Sequence, residues 1–173
     1  MADLNLKHKF DAEKCRHYLN ENLTVLHCHH YATLFTQLAI DAKDIVDGTK
    51  ILFSTSEKIF FDVLSEYFKN FNISDKEAKV EISSKMFSAI GLGKMNITDI
   101  NENGGKINLP HSYVDEGWTK KWGKMDMPVN FIGCGYIGGM FSAIFNQPVQ
   151  TYKVEETESI VSGADKSNIK ITR

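Results

Sequence analysis

Gly133-Cys134-Gly135-Tyr136-Ile137-Gly138-Gly139-Met140-Phe141-Ser142-Ala143-Ile144-Phe145 is the stretch on which the reading of the fold turns. Its large apolar residues suit a buried helix from about Val129 to Phe145. Pro128 suits the start and Asn146-Gln147-Pro148 the end. Gly135, Gly138, Gly139, Ser142 and Ala143 make it an expensive helix, since each interior glycine costs about 1 kcal/mol against alanine. So many small residues together imply close approach by another backbone or by a ligand.

Upstream, Lys94 to Ile100 alternates with period two, Asn103-Gly104-Gly105 tolerates positive φ, and Ile107-Asn108-Leu109 returns as a β-hairpin. Two helices are expected before it. One is capped by Ser54-Thr55-Ser56-Glu57 and buries Phe60, Phe61, Leu64, Tyr67 and Phe68. The other is capped by Ser74-Asp75-Lys76-Glu77, buries Ile82, Met86, Phe87 and Ile90, and stops at Gly91-Leu92-Gly93. From about Cys28 to Val46 the helical period places Tyr31, Leu34, Phe35, Leu38, Ala42 and Ile45 on one stripe. The first 26 residues read as irregular or β. Downstream, Val149–Val161 and Asn168–Thr172 read as strands around Ser162-Gly163-Ala164-Asp165. The connector from Pro110 to Pro128 is long and ring-rich, with His111, Tyr113, Trp118 and Trp122, as befits a segment that covers something. The pattern is α+β, an antiparallel sheet packed with about four helices. Nothing divides residues 1–173 into two domains, with 1–53 holding N-terminal strands and the first helix.

Composition limits the function. At 42% hydrophobic and 24% charged residues, with a net charge of −2 and no Lys/Arg cluster, nucleic acid is not the expected partner. No apolar run is long enough to span a membrane, and the N-terminus has no secretory h-region. Three scattered cysteines, Cys15, Cys28 and Cys134, make no disulfide framework and point to a reducing cytoplasm. Eleven phenylalanines suit a ring-rich core or a pocket for an apolar guest.

The order of these parts resembles the 4-vinyl-reductase-like, or predicted hydrocarbon-binding, domain. The likeness runs from Ile90-Gly91-Leu92-Gly93 through the hairpin, the glycine-rich helix, Gln147-Pro148-Val149 and Val154–Gly163 to the last strand. It is clear over residues 54–173 and loose before them. The resemblance implies a fold related to the small TRAPP subunits, a homodimer, and a buried pocket for hydrophobic or aromatic molecules. Relatives include sensory domains of aromatic-responsive activators and a protein that handles a tetrapyrrole. The family also implies a C-terminal zinc site, whose matching positions here are Asn130, Glu156, Ser159 and Ser167. Serine hydroxyls are poor zinc ligands beside thiolates, so that site is expected to be absent.

Leu26-His27-Cys28-His29-His30-Tyr31 crowds metal-binding and titrating side chains together. With Tyr31 at the centre of the buried stripe, helical geometry turns His27 and Cys28 inward, leaves His30 on the flank and sends His29 to solvent. His27, Cys28 and His30 are candidate metal or haem ligands. With Tyr31, Phe35, His111, Trp118 and Cys134 they are candidate ligand-binding residues. The bland alternatives are histidines bonded at a strand–helix junction, a loop histidine paired with Asp115 or Glu116, and cysteines packed as small hydrophobes. Glu156 and Glu158 share a strand face, as a solvated pair commonly does. There is no phosphate-binding loop, nucleophile elbow or zincin motif. The resemblance therefore implies a sensor or carrier of an apolar, aromatic or tetrapyrrole-like molecule, with a metal- or haem-dependent enzyme using His27, Cys28 and His30 and an assembly subunit as the alternatives.

Overall fold

The computed structural model of the chain describes residues 3–173. It opens with a meander of short antiparallel strands, β1 (His8–Asp11), β2 (Arg16–Leu19) and β3 (Asn22–Thr24). Asn20 and Glu21, at φ 47° and 67°, turn the chain between the last two. Helices α1 (His29–Asp41), α2 (Gly48–Asn70) and α3 (Lys76–Ala89) follow, with a 3-10 turn at Ala42–Asp44. The expected hairpin is present as β4 (Gly93–Asn101) and β5 (Gly104–Ser112). The ring-rich connector contains a helix, α4 (Tyr113–Trp122), and the glycine-rich stretch forms α5 (Phe131–Phe145). Strands β6 (Lys153–Glu158) and β7 (Ser167–Thr172) complete an antiparallel sheet in the order β4-β5-β7-β6.

Close approach to α5 comes from another backbone, that of α2. A Cβ on Gly135 would fall 2.6 Å from the Phe53 carbonyl oxygen, and one on Gly139 would fall 2.5 Å from that of Glu57. Around this contact lies the main core, with Leu64 of α2, Phe87 of α3, Ile107 and Leu109 of β5, and Tyr136, Met140 and Phe141 of α5. A smaller cluster joins Ala32 of α1 to Val114 and Trp118 of α4, Val129 and Val161.

Two helix starts differ from the sequence expectation. Asp47 caps α2, accepting from the Lys50 amide at 3.0 Å, so Ser54 and Glu57 lie inside the helix. Ser54 donates back to the Ile51 carbonyl, and Glu57 is buried against α5, so the capping-box residues serve an ongoing helix instead. Helix α3 is capped by Asp75, which accepts from the Ala78 amide at 2.8 Å.

The larger difference is the facing of α1. Its buried residues are Ala32, Thr33 and Thr36, while Tyr31, Leu34, Phe35 and Leu38 are 49%, 42%, 44% and 54% exposed. Periodicity identified the apolar stripe correctly, but α4 docks on the opposite, small-residue face. There Gly117 leaves room for His29 and Thr33. The stripe that should be covered faces out of this single chain.

Candidate functional site

The His/Cys motif sits where the chain enters α1, beside α4. His27 Nδ1 lies 3.1 Å from the Tyr113 hydroxyl, which in turn donates to the His27 carbonyl at 3.2 Å. His27 also tilts against Tyr31, with ring centroids 4.9 Å apart, and Cys28 Sγ lies 3.7 Å from His30 Nδ1. His27, Cys28 and His30 are exposed, whereas His29 is half-buried, its ring set against Gly117 with Nε2 enclosed and unpartnered. The inward and outward positions are thus reversed from the helical projection, because α1 presents its other face to α4. Partial desolvation, then the charges of His29, Lys121 and Lys120, lower the His30 pKa. Among the described residues, no group of three or more His, Cys, Asp or Glu side chains is arranged to hold a metal. The proposed trio therefore does not converge.

The remaining candidates are dispersed. His111 is exposed on β5 and pairs with Glu116 at 3.2 Å. Trp118 is buried against Trp122, with centroids 4.7 Å apart and its own Nε1 unpartnered. Phe35 stands edge-on to Tyr31 on the exposed face of α1. Cys134 is buried at the start of α5, where burial and then the nearby carboxylates of Glu156 and Asp115 push its thiol well above the usual range.

An apolar cavity lies elsewhere, between the N-terminal meander and helices α2 and α3. It measures about 210 Å³. Leu6, Leu19, Phe60, Val63, Tyr67, Phe71, Met86 and Ile90 supply its apolar lining, and Asn20, Asn22, Thr24, Glu66 and Asn70 its polar groups. Tyr67 and Phe71 stack with centroids 4.5 Å apart, and the Tyr67 hydroxyl accepts from the Asn5 amide at 2.8 Å, fixing the lead-in to β1. Of these residues, sequence reading placed Phe60, Tyr67, Met86 and Ile90 on buried faces. It had no means of seeing that the meander leaves a gap above them.

A second polar assembly joins the starts of α4 and α5 to the ends of β6 and β7. Ser112 caps α4 and Asn130 caps α5, and Asn130 Nδ2 donates to Ser112 Oγ at 2.9 Å and to Asp115 Oδ2 at 3.4 Å. Ser167 Oγ donates to Asp115 Oδ2 at 3.1 Å. Burial raises Asp115 from 3.8 to about 6 against the Ser112, Ser167 and Asn130 contacts that lower it. Burial, then the charge of Asp115, raises Glu156 from 4.5 to about 7. Sequence reading reached Asn130, Ser159 and Ser167 only through the family's zinc positions, and considered Asp115 only as a partner for His111. It took Glu156 also as one of a solvated pair with Glu158, which its enclosed carboxyl oxygens overturn. The donors here are oxygens, with the buried Cys134 thiol adjoining them. With serines at two of the family's thiolate positions and an asparagine at a third, the set lacks the several thiolate or imidazole donors of structural zinc sites and does not fit zinc.

No family model and no curated protein matches the sequence. Solved structures do match. A vinyl-4-reductase family protein from Methanocaldococcus jannaschii superposes with a TM-score of 0.55 at 18% identity, over 86% of this chain and 83% of that one. The fold is that of the vinyl-4-reductase family. The phenol-responsive sensory domain of the transcription activator PoxR, solved with phenol, gives a TM-score of 0.79 at 16% identity over 95% of this chain and 84% of that chain. A trafficking protein particle complex subunit 3 from Naegleria fowleri, covalently bound to palmitic acid, gives 0.56 at 16% identity over 82% and 89%. The likeness in fold to the PoxR sensory domain covers nearly the whole chain. Among the described residues no helix is long and apolar enough to cross a membrane.

Proposed function

We propose that this chain is a small-molecule-binding sensor or carrier domain whose guest is a compact aromatic molecule held between the meander and helices α2 and α3. The observation that carries the reading is the cavity of about 210 Å³ lined by Phe60, Tyr67, Phe71, Met86 and Ile90. An apolar cavity of about 150 Å³ is enough to take up benzene, whereas drug-sized ligands occupy roughly 300–1,000 Å³. The volume therefore favours a single ring over a tetrapyrrole. Asn20, Asn22, Glu66 and Asn70 add hydrogen-bonding groups, which suits a ring bearing a hydroxyl. The phenol held by the PoxR sensory domain supports the same class of guest.

Binding requires no chemistry from the cavity, whose lining contains no histidine or cysteine. The His27/Cys28/His30 cluster, the residues on which a metal-dependent enzyme would depend, lines no part of it. A guest in this cavity would contact both the meander and α2. A guest that favours one placement of the meander on the helices would couple binding to the segment from Leu6 to Thr24, which is the coupling a sensor needs.

The exposed stripe of α1 supports a homodimer. Tyr31, Leu34, Phe35 and Leu38 are exposed on one face of α1, Ile45, Val46 and Ile51 are exposed after it, and exposed apolar side chains in such number mark an interaction surface. A second copy would cover it and bury Phe35, giving that residue a role in assembly. A thermal-shift series with benzene, phenol, cyclohexanol and a fatty acid tests the guest class. The reading expects the largest shift from phenol and little from the fatty acid.

A further inference from the structure

Lys79, at the start of α3, is only 8% exposed, and among the described residues its ammonium forms no ion pair. Lysine is almost never buried unless paired. What it does meet is the Phe68 ring, whose centroid lies 5.3 Å from Nζ. An aromatic face recovers only part of what a buried ammonium loses on leaving water. Nearby oxygens are committed elsewhere. Asp75, one turn earlier, caps α3 by accepting from the Ala78 amide at 2.8 Å. The Phe68 and Lys69 carbonyls accept from the Ile73 and Asn72 amides, and the Ser142 carbonyl from that of Gln147.

Lys79 is part of the wall of a surface cleft of about 510 Å³, bounded by the C-terminal ends of α2 and α5 and the start of α3. The polar wall is built from groups that can donate: the Lys69 and Lys79 ammonium groups, the Asn72 and Asn146 amides, and the Ser65 and Ser74 hydroxyls. No aspartate or glutamate lines it. Asn72 and Asn146 come to the cleft where the chain turns past the ends of α2 and α5, at φ 53° and 52°. Phe68, Ile73 and Ala143 supply apolar surface. The volume falls within the roughly 300–1,000 Å³ of small-molecule sites.

We propose that this cleft binds the phosphate group of a phosphomonoester, with Lys79 and Lys69 as counter-charges and the Asn72 and Asn146 amides as neutral donors. A phosphomonoester carries a charge of about −1.5 to −2 near neutral pH and three strong acceptor oxygens. Two ammonium groups match that charge, whereas a carboxylate would balance only one of them. Lysine serves phosphate as a point charge and needs no fixed fork geometry, which suits the exposed, flexible Lys69. Phe68, Ile73 and Ala143 give the carbon part of the ester a surface to lie on. This inference does not depend on the aromatic guest: Tyr67 and Phe71 line that cavity, Phe68 and Asn72 this cleft.

The test is isothermal titration of glycerol 3-phosphate into the whole chain at low ionic strength, with sodium acetate and glycerol as controls. Co-sedimentation with phosphatidylcholine vesicles, with and without phosphatidic acid, runs beside it. Saturable binding of glycerol 3-phosphate assigns the site to a soluble ester; sedimentation with the phosphatidic acid vesicles alone assigns it to a lipid headgroup. Either supports the proposal. Lys79→Met keeps the apolar stem. It should weaken binding about tenfold or more and raise the melting temperature of the unliganded chain, because an uncompensated buried charge is gone. Lys69→Ala, at an exposed position, should fold as wild type and weaken binding several-fold. Binding of neither phosphate form, acetate binding as tightly as the ester, or undiminished affinity in either folded variant would overturn the proposal.

Discussion

Ser167 Oγ donates to Asp115 Oδ2 across 3.1 Å, tying the first residue of β7 to the first turn of α4 through two fully buried side chains. The bond partly compensates Asp115, yet burial still raises its carboxyl from 3.8 to about 6, with Glu156 raised from 4.5 to about 7. Both shifts have the same consequence for folding. Between the unfolded and folded values the native state holds protons that the unfolded chain has released, so stability falls as pH rises. The protein is expected to be most stable on this account near pH 4 and to lose stability steadily to about pH 7. The two carboxyls titrate as a pair, so the loss belongs to both together and is of the order of a few kcal/mol. Buried Glu57, also raised by desolvation, adds in the same direction. Urea midpoints measured at intervals from pH 4 to pH 8 check this, and Glu156→Gln should flatten the decline.

Gly139→Ala should be severely destabilising even though alanine is the better helix former. The added Cβ would lie 2.5 Å from the Glu57 carbonyl oxygen and 2.8 Å from the Phe61 amide nitrogen, both backbone atoms that cannot swing aside. Overpacking of this kind costs about 1–3 kcal/mol or more, exceeding the helix-propensity gain of about 1 kcal/mol. Gly138→Ala should be milder, because its Cβ meets the Glu57 side chain at 3.1 Å. Denaturant melts of the two variants should rank them in that order.

Leu38→Glu is expected to leave the fold intact and disrupt self-association. Leu38 is 54% exposed in the single chain, so a charge there costs little unless a second copy covers it. Sedimentation velocity of wild type and variant at matched concentrations measures the change. A wild-type monomer, or an unchanged dimer in the variant, would contradict the proposed use of the α1 stripe.

The sequence was most legible where local chemistry and periodicity agree. Asn103-Gly104-Gly105 marked the hairpin, and the glycines of α5 announced the close approach that Phe53 and Glu57 of α2 fulfil. It misled where a pattern has more than one physical use. The stripe Tyr31-Leu34-Phe35-Leu38 is a genuine apolar face, but periodicity does not say which element covers it, and α4 takes the Ala32-Thr33-Thr36 face instead. The residues of Ser54-Thr55-Ser56-Glu57 fit a capping box, yet Asp47 had already started the helix. The cavity was invisible because its walls join Leu19 and Asn22 of the meander to Phe60 and Met86 of two later helices. Asp115 was hidden for a related reason. Its partners, Asn130 and Ser167, are distant in sequence, and an aspartate in a helix's first turn ordinarily needs no further explanation.

Val63→Phe should fill the cavity from α2 while keeping the half-buried position apolar. Its stability is expected to stay within about 1–3 kcal/mol of wild type, since added volume enters a gap and not a packed core. Thermal denaturation of the unliganded variant establishes that the fold is retained.

Isothermal titration of phenol into the wild-type chain and into Val63→Phe is the most direct test of the binding account. Saturable binding at the Tyr67–Phe71 cavity, reduced at least tenfold in the folded variant, is the predicted result. Absence of saturable binding by phenol, or equal affinity in the two proteins, would contradict it.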